Sequence, residues 1–505
     1  MNQDNDFQLL VHHYADGKSS SVEMKRINDR LRSDADARRW FIEFLNLDAA
    51  LADMTIDGLL AQHGKIDRSA DAVPVVEHET GRGISGERKT VTAWTSAMAV
   101  CLSILFVGVF WWQTPSGPFA TVQRVAGVEE LADQAVLGSE SYVIQAGTLE
   151  LMTSRGARVV IEAPAEFRFE SAQRLHLKRG RVTADVPPLA KGFTVITPTG
   201  QAVDLGTKFG VDVPPQGQSE IHVFQGEVIA QSTGGGKRKS LHDGEAYQLQ
   251  SGAGATRDLR SSAFIRPDEV ASLYAALAAG QRAVSDGALA KLRQDPELIT
   301  LLDFESGNLP EGNYRMVQGR WPGSHAPEFV NVGDHMTIEV GADRVWPQIT
   351  LAAWVRIDRL DAPYQSLLHT DGWSVENKGQ VHWMINRDTT MRLALFGNAL
   401  APGSDERFGF PDSRTPVLPE QGRWVHLATV YDSTERTVRF YLNGAFDKET
   451  RQEIAHPARL GPAQIGNWEY QDRKLSGRVD ELVILGQAMS DAEVSVLFEA
   501  GTPYR

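Results

Sequence analysis

The most distinctive pattern along the chain is an apolar run that predicts a membrane-spanning helix. From Trp94 to Trp112 the sequence contains no charged residue. As a helix this run would rise about 28 Å, close to the hydrocarbon thickness of a bilayer. Trp94 stands at one end and Trp111 and Trp112 at the other, where indole rings favour the membrane interfaces. We therefore predict a transmembrane helix over residues 90–113; the alternative is a buried apolar helix of a globular domain.

The charges beside this run predict its orientation. Arg82, Arg88 and Lys89 precede it, whereas no charged residue follows it until Arg124. Positively charged flanks favour the cytoplasmic side of a membrane. The prediction is a single-pass protein of a bacterial cytoplasmic (inner) membrane, with its N-terminus in the cytoplasm and its C-terminus outside, in a periplasm where the cell has two membranes.

The N-terminal residues follow the helical period. Ser20 and Glu23 have capping-box spacing, and Asp34 can cap a further helix. This last helix carries three neighbouring aromatic residues: Trp40, Phe41 and Phe44. Residues 1–62 are predicted to form a small helical bundle, which completes its packing against a partner because it has little core of its own. Residues 63–89, rich in Gly and charged residues, are predicted to be a flexible linker.

Beyond residue 118 apolar and polar residues alternate at period two, which predicts β-strands separated by turns. The first such region, residues 118–250, is compatible with a sandwich, a roll or a solenoid-like stack. In the second, residues 300–505, Asn443-Gly444 is a strong hairpin signal because both residues tolerate positive φ. Residues 263–299 are predicted to be a helical spacer in which Pro267 and the acidic residues after it start a helix. The alternative is that they dock on one of the β regions.

Composition and charge narrow the class of protein. The chain has 505 residues, 42% of them apolar, and this length predicts three or four domains. The net charge of −14 argues against direct nucleic-acid binding, which needs a basic face. Cys101 is the only cysteine, so neither an internal disulfide nor a Cys-rich zinc site can form. The fold class is thus multidomain and mainly β, with a small N-terminal helical bundle and one transmembrane helix.

The stretch from Phe193 to Val213, followed by the strand from Glu220, resembles the FecR domain. The hallmark is a Thr-Pro-x-Gly turn, then Leu-Gly-Thr-x-Phe, then Val-x-x-Gly-x-Val. The matching positions are Thr197, Pro198, Gly200, Leu205, Gly206, Thr207, Phe209, Gly226 and Val228. These residues are interpreted as structural, since glycines permit turns that a Cβ would resist and no catalytic set stands among them.

The N-terminal segment that begins Leu-Leu-Val-His-His-Tyr-Ala-Asp-Gly is similar to the anti-sigma segment of FecR-type transmembrane regulators. This resemblance implies a sigma factor as the cytoplasmic partner, held by contacts between the helices and a groove. Trp40, Phe41 and Phe44 are the candidate partner-binding residues. His12 and His13 are interpreted as packing or surface residues, because the zinc-binding variety of anti-sigma segment requires cysteines.

Residues 300–505 resemble the laminin-G-like, concanavalin A-like jelly roll, which implies an outer glycan or protein ligand. The Glu-x-Asp-x-x-Glu run of the related hydrolases is absent. Asp480 and Glu481 are adjacent on a strand, so they are expected to face opposite sides. No cofactor is predicted. Calcium in loops is an alternative to ordinary turn chemistry, with these candidates: Asp371, Asn377, Asp388 and Asn398. Three tryptophans could stack on sugars or pack in the core: Trp373, Trp383 and Trp468.

The leading hypothesis is a non-enzymatic transmembrane signal transducer that regulates an extracytoplasmic-function sigma factor and senses an outer ligand. The first alternative is a membrane-anchored carbohydrate-binding or adhesion protein without a sigma partner. The second is an outer-surface glycoside hydrolase. Because a single membrane helix cannot rearrange against itself, signalling would need dimerisation, an outer partner or proteolysis, and the sequence does not choose among them.

Overall fold

The computed structural model describes most of the chain beyond the apolar run. It describes residues 118–504 except 235–237, 251, 253, 306–308, 342–343, 405–408, 420–422 and 469–472, together with Phe7, Arg26, Arg30 and Asp34. Trp40, Phe41, Phe44, Trp94, Trp111, Trp112, the linker and the predicted transmembrane helix lie outside the described residues. Among those it does describe, no helix is both long enough and apolar enough to cross a membrane.

The chain divides into two compact units, Met1–Ala99 and Val100–Arg505. In the first unit Phe7, Arg26 and Arg30 are helical, and Phe7 is buried. Asp34 donates its backbone N–H to the Arg30 carbonyl at 3.0 Å and pairs with the Arg30 side chain at 2.9 Å.

The first β domain of the second unit consists of strands that form one continuous sheet. Its strands are β1 Ala120–Ala126, β2 Val136–Leu137, β3 Ser141–Ile144, β4 Thr148–Thr153, β5 Arg158–Ser171, β6 Arg174–Asp185, β7 Thr194–Thr197, β8 Gly200–Asp204, β9 Lys208–Val213, β10 Glu220–Gln225, β11 Glu227–Ser232, β12 Lys239–His242, β13 Ala246–Gln248 and β14 Ala255–Arg257.

Two long strands fold this sheet back on itself. The first half of β5 pairs with β4 and its second half with β3. The first half of β6 runs parallel to β7, and its second half runs antiparallel to β9. Each strand thus belongs to both layers of a roll. Large buried aromatics fill the space between the layers: Phe167, Phe169, Phe193 and Phe209.

Two helices, α1 (Pro267–Ala278) and α2 (Gln281–Leu292), connect the β domains. Pro267 opens α1 with acidic residues in its first turn, as the sequence predicts. The helices do not hold the domains apart. Val270 and Leu273 of α1 share an apolar cluster with Ala126 of the first β domain and Trp321 of the second, and α2 contacts the last helix of the chain.

The second β domain is a sandwich of two large antiparallel sheets. Its elements are β15 Leu298–Leu302, β16 Gly312–Asn313, β17 Arg315–Gln318, β18 His325–Phe329, β19 His335–Glu339, β20 Val345–Trp346, β21 Gln348–Arg359, β22 Gln365–Thr370, β23 Val381–Ile385, β24 Thr390–Leu395, β25 Ala399–Leu400, β26 Asp412–Pro416, β27 Val425–Asp432, β28 Thr437–Leu442, β29 Ala445–Ile454, β30 Ala458–Arg459, β31 Pro462–Ile465, β32 Ser476–Leu485 and α3 Asp491–Gly501.

One sheet has the order β17-β18-β32-β21-β27-β28-β29-β25, with β15 beside β32, and the other β16-β19-β31-β22-β23-β24-β26. Their inner faces enclose one apolar core. The predicted hairpin is confirmed: Asn443 and Gly444 join β28 to β29 with φ of 49° and 73°. The short closing helix α3 begins with a capping box between Ser490 and Glu493.

Candidate functional site

The connector before α1 fastens the two β domains together. Phe264 is fully buried, and its ring packs so closely on Gly210 of β9 that a Cβ there would stand 2.5 Å from it. On the other side Arg356 of β21 donates from Nε to the Ser262 carbonyl at 3.2 Å. Neighbouring residues of one short segment therefore contact both domains.

A buried network of charged side chains surrounds this segment, with Glu328 of β18 at its centre. Glu328 is fully buried and accepts hydrogen bonds from Arg181 of the first domain at 3.0 Å and from Arg315 at 2.8 Å. Arg478 of β32 donates to Glu328 at 3.3 Å and to Glu162 of β5 at 2.6 Å. An arginine of each domain thus donates to a carboxylate of the other domain.

Asp212 of β9, in the first domain, is a second buried carboxylate that several guanidinium groups share. Arg181 pairs with it at 3.0 Å, Arg260 of the connector at 3.2 Å and Arg315 of β17 at 2.8 Å. Arg260 also reaches Asp358 of β21 at 3.4 Å. One carboxylate is therefore shared by guanidinium groups from three parts of the chain.

The pKa values reflect this mutual neutralisation. Burial opposes ionisation of Glu328, but Arg181, Arg315 and Arg260 lower its pKa to about 2. The same guanidinium groups hold the pKa of Asp212 well below its usual value against the effect of burial. Asp358 differs, because burial and the neighbouring charge of Glu328 raise its pKa to about 6.

Glu269 on α1 lies at the edge of this network. It is buried, 3.6 Å from Arg356, and accepts a hydrogen bond from the Tyr504 hydroxyl at 3.3 Å. Burial raises the pKa of Glu269 to about 8, although Arg356 opposes the shift. The folded protein therefore favours the protonated form of this carboxyl.

We expect Glu269→Gln to stabilise the protein at pH 8 and to change its stability little at pH 4. The folded-state pKa of about 8 lies above the ordinary 4.5, so the contribution of Glu269 to stability is present below pH 4.5 and is lost as the pH rises towards 8. A neutral glutamine cannot ionise, so the variant does not lose this stability. Its free energy of unfolding at pH 8 should exceed that of the original protein by about 1–3 kcal/mol. Urea denaturation at both pH values measures it.

The exposed carboxylate of Glu129 provides the matched control. Glu129→Gln is expected to change the difference between the two pH values by less than about 0.5 kcal/mol. Glu269→Gln could instead prove more destabilising at pH 8 than at pH 4. That result would mean that Glu269 is ionised in the folded protein and forms a stabilising ion pair with Arg356, which would contradict the prediction.

A polar cleft opens beside the network, between the two β domains. Its volume is about 260 Å³. One wall is the β9–β10 hairpin with Gln216 and Gln218, and the opposite wall carries Asn313, Tyr314 and Asn331. The charged groups at its base include Asp212, Arg260, Arg315 and Glu328 of the network already described. Glu220, which pairs with Arg260 at 3.1 Å, and Asp334 also line the cleft.

The FecR-like motif residues lie in turns and in the strands beside them, and none of them lines this cleft. Thr197 ends β7 and donates to the Gly200 carbonyl at 3.1 Å, with Pro198 exposed between them. A Cβ on Gly200 would stand 2.3 Å from the Gln231 carbonyl oxygen, so only glycine allows the approach of β11.

The second motif turn joins β8 to β9. Leu205 donates its N–H to the Glu227 carbonyl at 3.1 Å, and the Thr207 hydroxyl hydrogen-bonds to Asp204. Gly206 has φ of 104°, and Gly226 of the neighbouring turn packs on Thr207. Phe209 and Val228 then enter the core.

The outer face of the second sheet of the sandwich carries a cluster of aromatic and histidine side chains. Trp373 stacks on His382 with ring centroids 3.9 Å apart, and Trp468 meets the same imidazole at 4.7 Å. Both tryptophans are half-buried, whereas His369 and His382 are buried. Trp383 points the other way: it is fully buried in the core and donates to Thr429 at 2.9 Å.

Arg473 fixes the protonation of both imidazoles. It lies 2.9 Å from Nε2 of His369 and 3.4 Å from Nδ1 of His382. Because a guanidinium group only donates, these nitrogens accept. Nδ1 of His369 therefore carries its proton and donates to the Ser366 hydroxyl. Burial and the nearby Arg473 lower the pKa of His382 to about 2, and burial, His382 and Arg473 hold that of His369 well below its usual value.

The four calcium candidates lie at two ends of one sheet. Asp371 and Asn377 follow β22, and Asn398 follows β24 at the same end, whereas Asp388 lies in the β23–β24 turn at the opposite end. Asn398 donates to Tyr431 and Gln452. In the part of the chain that the structure describes, no three His, Cys, Asp or Glu residues are grouped as metal ligands.

The expectation that Asp480 and Glu481 face opposite sides of the sheet is wrong: both carboxylates lie on the side that carries Arg320. Glu481 has φ of 48° at an irregularity in the pairing of β32 with β21, a β-bulge. Both carboxylates consequently contact Arg320: Asp480 accepts its backbone N–H at 2.9 Å, and Glu481 pairs with its guanidinium group. Burial and the charge of Glu481 raise the pKa of Asp480 to about 7.

Two family models match the chain at these two β domains. Residues 143–229 match the FecR protein family. Residues 332–495 match a laminin G family of the concanavalin A-like lectin/glucanases superfamily. This combination fits a FecR-type protein with a laminin-G-like domain. The chain accordingly carries a FecR domain and, after the two connecting helices, a laminin-G-like domain. No curated protein sequence matches the chain.

Solved structures match single parts of the chain. A heptameric SAP-like pentraxin from Limulus polyphemus is 15% identical, covering 33% of this chain and 78% of its own, with a TM-score of 0.26. A sialidase CBM40 from Ruminococcus gnavus bound to α2,6-sialyllactose is 16% identical, covering 30% and 84%, with a TM-score of 0.25.

A protein proposed to be an anti-sigma factor from Parabacteroides distasonis is 15% identical, covering 24% of this chain and 60% of its own, with a TM-score of 0.21. For the binding domain of botulinum neurotoxin serotype D, the chain spans 50% of its length.

Proposed function

We propose that the protein is a transmembrane regulator of an extracytoplasmic-function sigma factor and has no enzymatic activity. The N-terminal helices would hold the sigma factor in the cytoplasm. The FecR and laminin-G-like domains would lie outside, in the periplasm of a two-membrane cell, and sense a glycan or protein ligand. The FecR match over residues 143–229 supports the regulatory role, and the charge-free run Trp94–Trp112 with its basic N-terminal flank supports the topology.

The observation that carries this proposal is the buried network around Glu328. A sensor domain can influence a relay domain only if the two are mechanically joined. Here guanidinium groups from both domains share Glu328 and Asp212, so the laminin-G-like domain cannot turn freely against the FecR domain. A ligand bound to one would therefore act on the other as part of a single body.

The test is capture of the organism's sigma factors by the full chain. We expect one sigma factor to be retained specifically. The double substitution Trp40→Ala and Phe44→Ala should reduce its capture at least about tenfold, because it removes two aromatic side chains proposed to contact the sigma factor. Trp468→Ala, in the laminin-G-like domain, is the control and should leave capture unchanged. Retention of no sigma factor by the unaltered chain would contradict the proposal.

A membrane-anchored glycan-binding or adhesion protein is the second candidate. Trp373 and Trp468 beside His382 favour it, since both are half-buried and the part of an aromatic ring that stays accessible offers an apolar face for a sugar ring to pack on. Glycan binding that depends on these tryptophans, combined with no transcriptional effect of deleting the gene, would support this alternative.

A further inference from the structure

We infer that the cleft between the FecR and laminin-G-like domains is a binding site for a small uncharged polyhydroxyl ligand, of the size of a monosaccharide. Its walls come from both domains: Gln216 and Gln218 on one side and Asn313, Tyr314 and Asn331 on the other. A volume of about 260 Å³ is near the lower end of ligand pockets, about 300–1,000 Å³. The cleft accordingly suits a compact ligand better than a polymer.

The charges at the base of the cleft are already neutralised within the protein. Glu220 pairs with Arg260 at 3.1 Å, and Arg315 pairs with Asp212 at 2.8 Å. Glu328 is shared among several guanidinium groups. Asp334, which also lines the cleft, already accepts hydrogen bonds at 2.8 Å from the backbone N–H groups of Val330 and Asn331 and from Nδ2 of Asn313. A cationic ligand would have to displace an arginine or these donors, and an anionic ligand would face the carboxylates, so a charged ligand gains no affinity from its charge.

The walls of the cleft carry side-chain amide groups that can hydrogen-bond to a ligand. Within the described residues the side-chain amides of Gln216 and Gln218 make no hydrogen bond. Asn313 donates from Nδ2 to Asp334 at 2.8 Å, which leaves its carbonyl oxygen to accept. Amides combine donors with acceptors, as do hydroxyl groups, so a ligand with several hydroxyls can bond to both walls at once. The half-buried ring of Tyr314 adds an apolar surface to one wall.

A ligand at this position would contact both domains. It would bind only while the domains keep their present arrangement, and by mass action it would stabilise that arrangement. Binding itself needs nothing from the cytoplasmic segment; only the consequence that occupancy regulates a sigma factor rests on the function proposed above.

The experiment is calorimetric titration of the full chain with neutral sugars (glucose, galactose, mannose and N-acetylglucosamine), each up to about 10 mM. We expect at least one to bind. The double substitution Gln218→Ala and Asn313→Ala should weaken binding at least about tenfold, because it removes one polar contact from each wall. Both residues lie on the surface of the cleft, and an unchanged melting temperature would verify folding.

The double substitution Trp373→Ala and Trp468→Ala is the matched control on the laminin-G-like sheet and should leave binding unchanged. Absence of binding by all four sugars overturns the inference. It is also overturned if the tryptophan variant loses binding while the cleft variant keeps it, or if glucosamine or sialic acid binds more tightly than every neutral sugar. Sigma-factor capture, measured on the same preparations, separates failure of the cleft from failure of the proposed function.

Discussion

Replacing Glu328 with Gln is expected to lower the free energy of unfolding by about 3–5 kcal/mol, since removing one member of a buried ion network leaves its partners uncompensated. The substitution keeps the shape of the side chain but removes the charge that Arg181, Arg315 and Arg478 share. Urea denaturation of the full chain at pH 7, followed by tryptophan fluorescence, measures the change.

Glu166→Gln is the matched control for this prediction. Glu166 also sits on a strand and pairs with Lys178 at 2.8 Å, but Lys178 is 71% exposed. A pair in water contributes about 0–1 kcal/mol, so the control should change stability little. Equal effects of the two substitutions would mean that the buried network contributes no more than a surface pair.

The same network predicts a response to acid. The folded-state pKa of Glu328, about 2, lies below the ordinary 4.5. Its contribution to stability is therefore present above pH 4.5 and is lost as the pH falls towards 2. The difference in stability between the original protein and Glu328→Gln should shrink over that interval.

Gly226→Ala is expected to destabilise the FecR domain by about 2–4 kcal/mol, through backbone strain and steric overlap. Gly226 has φ of 92°, and an added Cβ would lie 2.6 Å from Cγ2 of Thr207 and 2.8 Å from the Gly206 carbonyl oxygen. Since Gly206 and Thr207 belong to the motif turn, the new methyl group would displace the turn that begins β9. The measurement is again urea denaturation.

Gly244→Ala separates the two causes. Gly244 has a similar φ of 81°, but a Cβ there would meet nothing within 4 Å. It should cost about 1–2 kcal/mol, the backbone contribution alone. If both alanines were equally destabilising, contact with Thr207 would have no part in the effect.

Much of the β architecture could be predicted from the sequence because it depends on neighbours along the chain. Alternation at period two reports which face of a strand is buried, and Asn443-Gly444 is a turn signal complete within two residues. The bulge at Glu481 could not be predicted, since nothing in Asp480-Glu481 itself marks where the pairing of β32 with β21 becomes irregular.

The buried charged network between the two β domains could not be predicted from such patterns. Arg181 and Arg478 both occur in a Gly-Arg-Val stretch on an alternating strand, and in each the arginine is expected to face water. Instead both are buried, because the outward faces of two strands from different domains meet around Glu328. The sequence shows charged residues on strands of both domains, but it does not reveal which of them pair.

The separation of these partners in sequence has a consequence for biogenesis. Glu162 and Arg478 are 316 positions apart, and chains are synthesised from the N-terminus. Until the ribosome has made β32, the FecR half of a nascent chain carries Glu162 without the guanidinium group that pairs with it at 2.6 Å. Its charged face stays hydrated meanwhile, so the FecR domain should reach its final packing only after the laminin-G-like domain has emerged.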